Sequence, residues 1–248
     1  MSMRQTFTAA ATVATLAILP TVTAKAQNVV PGENYTLTLI PGQGPFGNNG
    51  NQAVTISDTI TPPLATQVLS GVFGLQASQS GGSLFALNPG CVDVQDFLSI
   101  PGDYLATVAN LSPNERALDI ALFSLMKNPV NLQDPVTDAA IGADLWEGKY
   151  EKSGTYSLST GNFQVSNNPA VVAEGNQILA DFTAGKIAID SSITGLCDLT
   201  AGGNQTLRTP CKVPEPTSLA LLGAGLAGLG LALRRRGGPA SGVEGGPG

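Results

Sequence analysis

The chain of 248 residues contains no histidine. That removes the side chain most used as a general base near neutral pH, and the commonest metal ligand with it. Ser-His-Asp and Cys-His mechanisms and histidine-built metal sites are therefore excluded within this chain. Charge is sparse as well: 12% of the residues are Asp, Glu, Lys or Arg, and 5% are aromatic. Residues 27–212 hold sixteen acidic and seven basic side chains, a net charge of −9 against −6 for the whole chain. With no basic patch, nucleic acid is not expected as a partner. No internal repeat is present.

What the chain does have is concentrated at its ends. Arg4 precedes a mostly apolar run from Phe7 to Leu19, Pro20 breaks it, and Ala24-Lys25-Ala26 sets small residues at signal-peptidase spacing. Residues 1–26 read as a secretory signal peptide, cleaved between Ala26 and Gln27. At the other end, Leu219 to Leu233 is unbroken by charge. At about 1.5 Å per residue it covers roughly 22 Å, short of the ~30 Å hydrocarbon core. Residues 218–233 are expected to be a marginal transmembrane helix, with Arg234, Arg235 and Arg236 snorkelling on the cytoplasmic side. Residues 237–248, "GGPASGVEGGPG", read as a disordered tail.

Gly223, Gly225 and Gly228 spell a G-x-G-x-x-G string inside this apolar run, and Gly42, Gly44 and Gly47 spell a second. A dinucleotide loop must follow a strand and open a helix. Neither string has that context, so no nucleotide and no other cofactor is expected.

Val213-Pro214-Glu215-Pro216, the short apolar segment and the arginine cluster together resemble a PEP-CTERM sorting signal over residues 213–236. The resemblance implies an exported protein of a Gram-negative bacterium, recognised and cleaved by an exosortase-type membrane protease. It departs from the family pattern in continuing past the arginines.

Residues 27–212 are long enough for one extracytoplasmic domain with a core. From Tyr35 to Val108, "YTLTLI", "AVTISDTI", "VLSGVFGLQ", "SLFAL", "CVDVQ" and "YLATV" read as short strands, sandwich or barrel-like in arrangement. Ser112-Pro113-Asn114-Glu115 is a capping box opening a helix to about Lys127, with Leu118, Ala121, Leu122, Leu125 and Met126 on one face. A second helix is expected from near Thr137 to Lys149, carrying Ile141, Leu145 and Trp146. "GTYSLSTGNFQVS" reads as a hairpin turning at Ser159–Gly161. Asn168-Pro169 opens a third helix whose Val172, Ile178, Leu179 and Phe182 point inward, and "KIAID" reads as a closing strand. The fold class is α+β, with a β-rich first half and about three helices in the second.

Three cysteines enter an oxidising compartment. Cys197 and Cys211 flank a flexible loop that a disulfide can close, worth roughly 3 kcal/mol if unstrained. Cys91 is left over and reads first as a small buried hydrophobe. Asp93, Asp96 and Asp103 cluster in sequence and are expected to be solvated turn residues; their spacing is not that of an EF-hand, and no metal site is expected.

"GCVDVQ", "AAIGADLWEGKYE" and "YSLSTGNFQVSNNPAVVAEGNQILA" are faintly similar to thioester domains of bacterial surface proteins. In those domains a cysteine and a glutamine four residues before a tryptophan join as an electrophilic thioester. The resemblance places Cys91 at the cysteine and Trp146 at the tryptophan. The glutamine position is Gly142, so Cys91 would be a relic and the bond cannot form between these positions.

The function expected is a non-enzymatic surface protein of the exopolysaccharide or biofilm matrix, served by signal peptidase and then an exosortase. The alternatives are a thioester-type adhesin acting through Cys91, a carbohydrate-binding module, and an extracellular hydrolase using carboxylates such as Asp93 or Asp144.

Overall fold

The computed structural model describes residues 29–213 except 60–63, 80–81, 95, 97 and 153. The signal peptide over 1–26, the helix over 218–233, Pro214, Glu215, Pro216, the three arginines and the tail over 237–248 lie outside the described residues. Among those described, no helix is long and apolar enough to cross a membrane.

Strands β1 (Asn34–Leu39), β2 (Gln52–Asp58), β3 (Leu64–Ser70), β4 (Leu75–Gln79), β5 (Phe85–Leu87), β6 (Gly90–Cys91) and β7 (Gly102–Val108) come first. Helices α1 (Pro113–Met126), α2 (Pro129–Gln133) and α3 (Pro135–Tyr150) follow. After them come β8 (Phe163–Ser166), α4 (Pro169–Thr183), β9 (Gly195–Thr200) and β10 (Leu207–Cys211). The mixed, β-rich architecture is the one expected. The strands form a seven-stranded half-barrel sheet, β5-β4-β1-β7-β9-β10-β6, and a three-stranded sheet, β3-β2-β8. Every neighbouring pair is antiparallel.

Each helix opens the same way, with a capping side chain followed by proline. Ser112 Oγ accepts the Glu115 N–H at 3.2 Å, Asn128 Oδ1 accepts Val130 N–H at 3.1 Å, Asp134 Oδ1 accepts Thr137 N–H at 2.7 Å, and Asn168 Oδ1 accepts Val171 N–H at 3.3 Å. These satisfy donors that have no partner inside the helix. α3 is the central element, touching α1, α2, α4, three strands of the small sheet and β6 of the large one. Residues Asp138 to Gly148 are buried without a break, so α3 shows no solvent face.

Four local expectations are corrected. The fourth helix, α2, was not foreseen. "KIAID" is no strand: Asp190 donates its N–H to Ser124 Oγ at 2.9 Å and pairs with Lys127, so the segment is tied to α1 rather than to a sheet edge. The expected hairpin keeps one cross-arm bond, Val165 N–H to Leu158 O at 2.8 Å, but only its second arm is a strand. Ser157 and Leu158 donate to Glu147 Oε1 (2.6 Å) and Asn176 Oδ1 (2.9 Å), leaving β8 to pair with β2. The supposed flexible loop between Cys197 and Cys211 is largely the β9–β10 hairpin, whose cysteines are disulfide-bonded with Cα atoms 5.6 Å apart. Within α4, Val172 and Phe182 pack half-buried against the core and Ile178 and Leu179 are buried, all facing inward as expected, with Val171 fully buried beside them.

Candidate functional site

Cys91 lies at the edge of the large sheet, where β6 meets β10 with Leu207 opposite Cys91. Gly90 admits α3 against this edge, since a Cβ there would sit 2.1 Å from Leu145 Cδ1. Cys91 is buried, and its thiol donates to the Asp93 carbonyl at 3.1 Å. The Trp146 indole N–H lies near the sulfur without meeting hydrogen-bond geometry to any described partner. Burial pushes the Cys91 thiol up to about 12, outweighing the opposing influence of the Trp146 N–H and the Asp93 carbonyl, so it stays protonated and a poor nucleophile. The Tyr150 hydroxyl completes the surround, 3.4 Å from both Asp93 Oδ1 and Val94 N.

The structure thus brings Cys91 and Trp146 together and leaves Gly142 elsewhere on α3. A Cβ at Gly142 would lie 2.7 Å from Gly71 N and 3.0 Å from Ser70 Oγ, so even a methyl group overlaps β3's end. The side-chain amide that shares an acceptor with Cys91 is Gln205, whose Nε2 donates to the same Asp93 carbonyl at 2.7 Å. Sequence distance hid it: Gln205 sits in the turn of the β9–β10 hairpin and arrives through strand pairing alone.

Next to this cluster is a cleft of about 670 Å³, lined by residues from β1, β3, the turn after β1 and the segment after β6. Phe46 and Phe73 stack at 5.1 Å on one wall, and Trp146 forms part of the floor. Trp146 is 3% exposed and Phe73 7%, which makes neither a sugar-stacking platform. Asp96 is exposed on the rim of this cleft, whereas Asp103 is on β7 and accepts Thr36 Oγ1–H at 2.6 Å. The sequence cluster of three aspartates is therefore not one site. The turn carrying Gly42, Gly44 and Gly47 follows β1 but opens no helix. Among the described residues, no group of three or more Cys, Asp or Glu is arranged to hold a metal ion.

Two groups of buried acids went unforeseen. Arg208, 3% exposed, bonds Asp198 through Nε (2.8 Å) and Nη2 (3.3 Å), and Glu115 and Asp119 through Nη1 (2.9 and 2.6 Å). Glu115 thus serves Arg208 rather than closing the capping box. The second group, on α3, has no cation: neither oxygen of Asp144 has a hydrogen-bond partner, nor has Asp138 Oδ1 or Glu147 Oε2. Burial raises Asp144 far above the usual carboxylate range, and the Glu147 and Glu174 charges add to it. Burial likewise pushes Asp138 and Glu147 up to about 8. A fully buried Asp144 touches no substrate, which removes it from the hydrolase reading.

Comparison with curated proteins and with solved structures finds no match for this chain. A family model described as the PEP-CTERM protein-sorting motif matches residues 212–236, beginning one residue after β10 ends. That motif indicates export and surface sorting in Gram-negative bacteria, with processing by a membrane exosortase. The chain thus carries a PEP-CTERM protein-sorting motif over residues 212–236.

Proposed function

We propose that this protein is a non-enzymatic binding module of the extracellular matrix, anchored by residues 218–233 until an exosortase cuts at the Val213–Pro216 motif. The observation that carries this reading is where the motif begins. Lys212 donates its N–H to Val29 O at 3.0 Å, and Val29 forms a parallel bridge to Cys211. Both ends of the domain therefore leave from one place, beside the Cys197–Cys211 disulfide. A signal peptide and a membrane-held tail emerging side by side allow the domain to fold outside while the motif stays at the membrane. The matrix role is supported by the acidic, charge-poor composition and the missing histidine. Fractionation of producing cells tests it: processed protein is expected outside the inner membrane, and intact protein in the cytoplasm would refute it.

One observation favours a second reading, a covalent adhesin. Cys91 Sγ and Gln205 Nε2 bond the same carbonyl oxygen. Attack of Sγ on the Gln205 carboxamide carbon would form a thioester and release one ammonia, the thiol proton leaving with it. Intact mass of the exported protein decides between the two. The full mass supports the binding module; a mass lower by one ammonia, with the bond opened by methylamine, establishes the adhesin.

A further inference from the structure

We propose that the cleft beside β3 is a docking slot for one extended peptide strand of a partner protein, uncharged or basic, with apolar residues at alternate positions. This rests on the fold alone and stands independently of how the tail is processed. Among the described residues β3 is an edge strand: it pairs with β2 from Gln52↔Ser70 to Asp58↔Leu64, and no other described strand pairs with it. Thr66, Gln67, Val68 and Leu69 all line the cleft. Successive side chains of a strand point to opposite faces, so a cavity touched by four in a row runs along the strand's edge. Along that edge alternate backbone N–H and C=O groups face outward, and no other described backbone-to-backbone bond reaches Thr66–Leu69.

Natural sheets guard such edges with charge, proline or a bulge. The strand "LATQVLS" has no charged residue and no proline, and Leu69 is 56% exposed. Its four lining residues offer about 13 Å of template at ~3.3 Å per residue. Main-chain bonds to β3 would hold the incoming strand, and the more accessible apolar lining of Leu39, Phe46 and Leu98 would receive alternate side chains. Asp96 is the one ionisable group among the described lining residues, and the domain's net charge of −9 repels acidic peptides.

The test titrates purified full-length protein in detergent with an acetylated seven-residue peptide alternating valine with threonine and lysine. Amide hydrogen exchange of β3 is recorded alongside. Saturable binding with new protection over residues 64–70 is expected, weakened about tenfold or more by a central proline or by glutamate in place of lysine. Leu69→Gln, a change at an exposed side chain, should weaken binding severalfold without moving Tm. The proposal is overturned by no binding, by equal binding of the proline peptide, or by binding without protection of β3. Protection of β3 that grows with protein concentration alone would assign the edge to a second copy of this chain and overturn it too.

Discussion

Residues 212–236 and the domain before them store information in different forms. The tail is a linear string whose meaning lies in residue identity and order: a Pro-Glu-Pro core, a short apolar run and three arginines. It needs no partner within the chain to be recognised, and it is the part that matches a family. The domain is specified by contacts between distant segments, such as Arg208 on β10 gripping Glu115 and Asp119 on α1. The lesson is that address and architecture should be separable: damage to one should leave the other intact.

The largest effect expected on the architecture comes from Arg208→Met. It leaves Glu115, Asp119 and Asp198 facing one another without their cation, and breaking a buried ion pair costs about 3–5 kcal/mol. Denaturant unfolding should show this, while any domain that still folds keeps its normal tail cleavage. Replacing both Cys197 and Cys211 by alanine comes next. The bridge closes a sequence separation of 14, and its loss should lower stability by about 3 kcal/mol in non-reducing buffer.

The third expected effect is a pH dependence. Asp138 and Glu147 are pushed up to about 8, and Asp144 is raised further. These groups hold protons in the folded state that the unfolded chain has released above pH about 4. The stability these groups contribute is therefore fully present near pH 4 and falls as pH rises towards about 8. Tm should be higher at pH 5 than at pH 8, and Asp144→Asn should flatten that slope. A Tm that rises between pH 5 and pH 8 would contradict the protonated state of α3. Smallest on the domain, and decisive for the comparison, is Pro216→Ala. It should shift unfolding by less than about 0.5 kcal/mol while abolishing cleavage of the tail. Loss of domain stability in that variant would break the separation.

Legibility followed the same division. The tail was readable because its signal is local. Three of the four helices were readable from periodicity and caps, and all four begin with Ser, Asn or Asp followed by proline. Applied evenly, that rule also finds α2 at Asn128-Pro129 and starts α3 at Pro135 rather than near Thr137. The hairpin β9–β10 was hidden by Gly202-Gly203-Asn204, whose turn chemistry made the whole span look like loop. β8 was mispaired because Glu147 and Asn176 reach the amides of Ser157 and Leu158, contacts that no local pattern announces. The candidate site was half legible: Cys91 and Trp146, both singled out in the sequence, lie near one another. Gln205 and the β3 edge come from pairings across about a hundred residues of chain.

The measurement that tests the account most directly is mass spectrometry of the mature C-terminus, in cells with and without the exosortase. The account predicts a chain ending within or just before Val213–Pro216 when the protease is present, and one retaining residues 218–233 when it is absent. An identical C-terminus beyond Arg236 in both would contradict it.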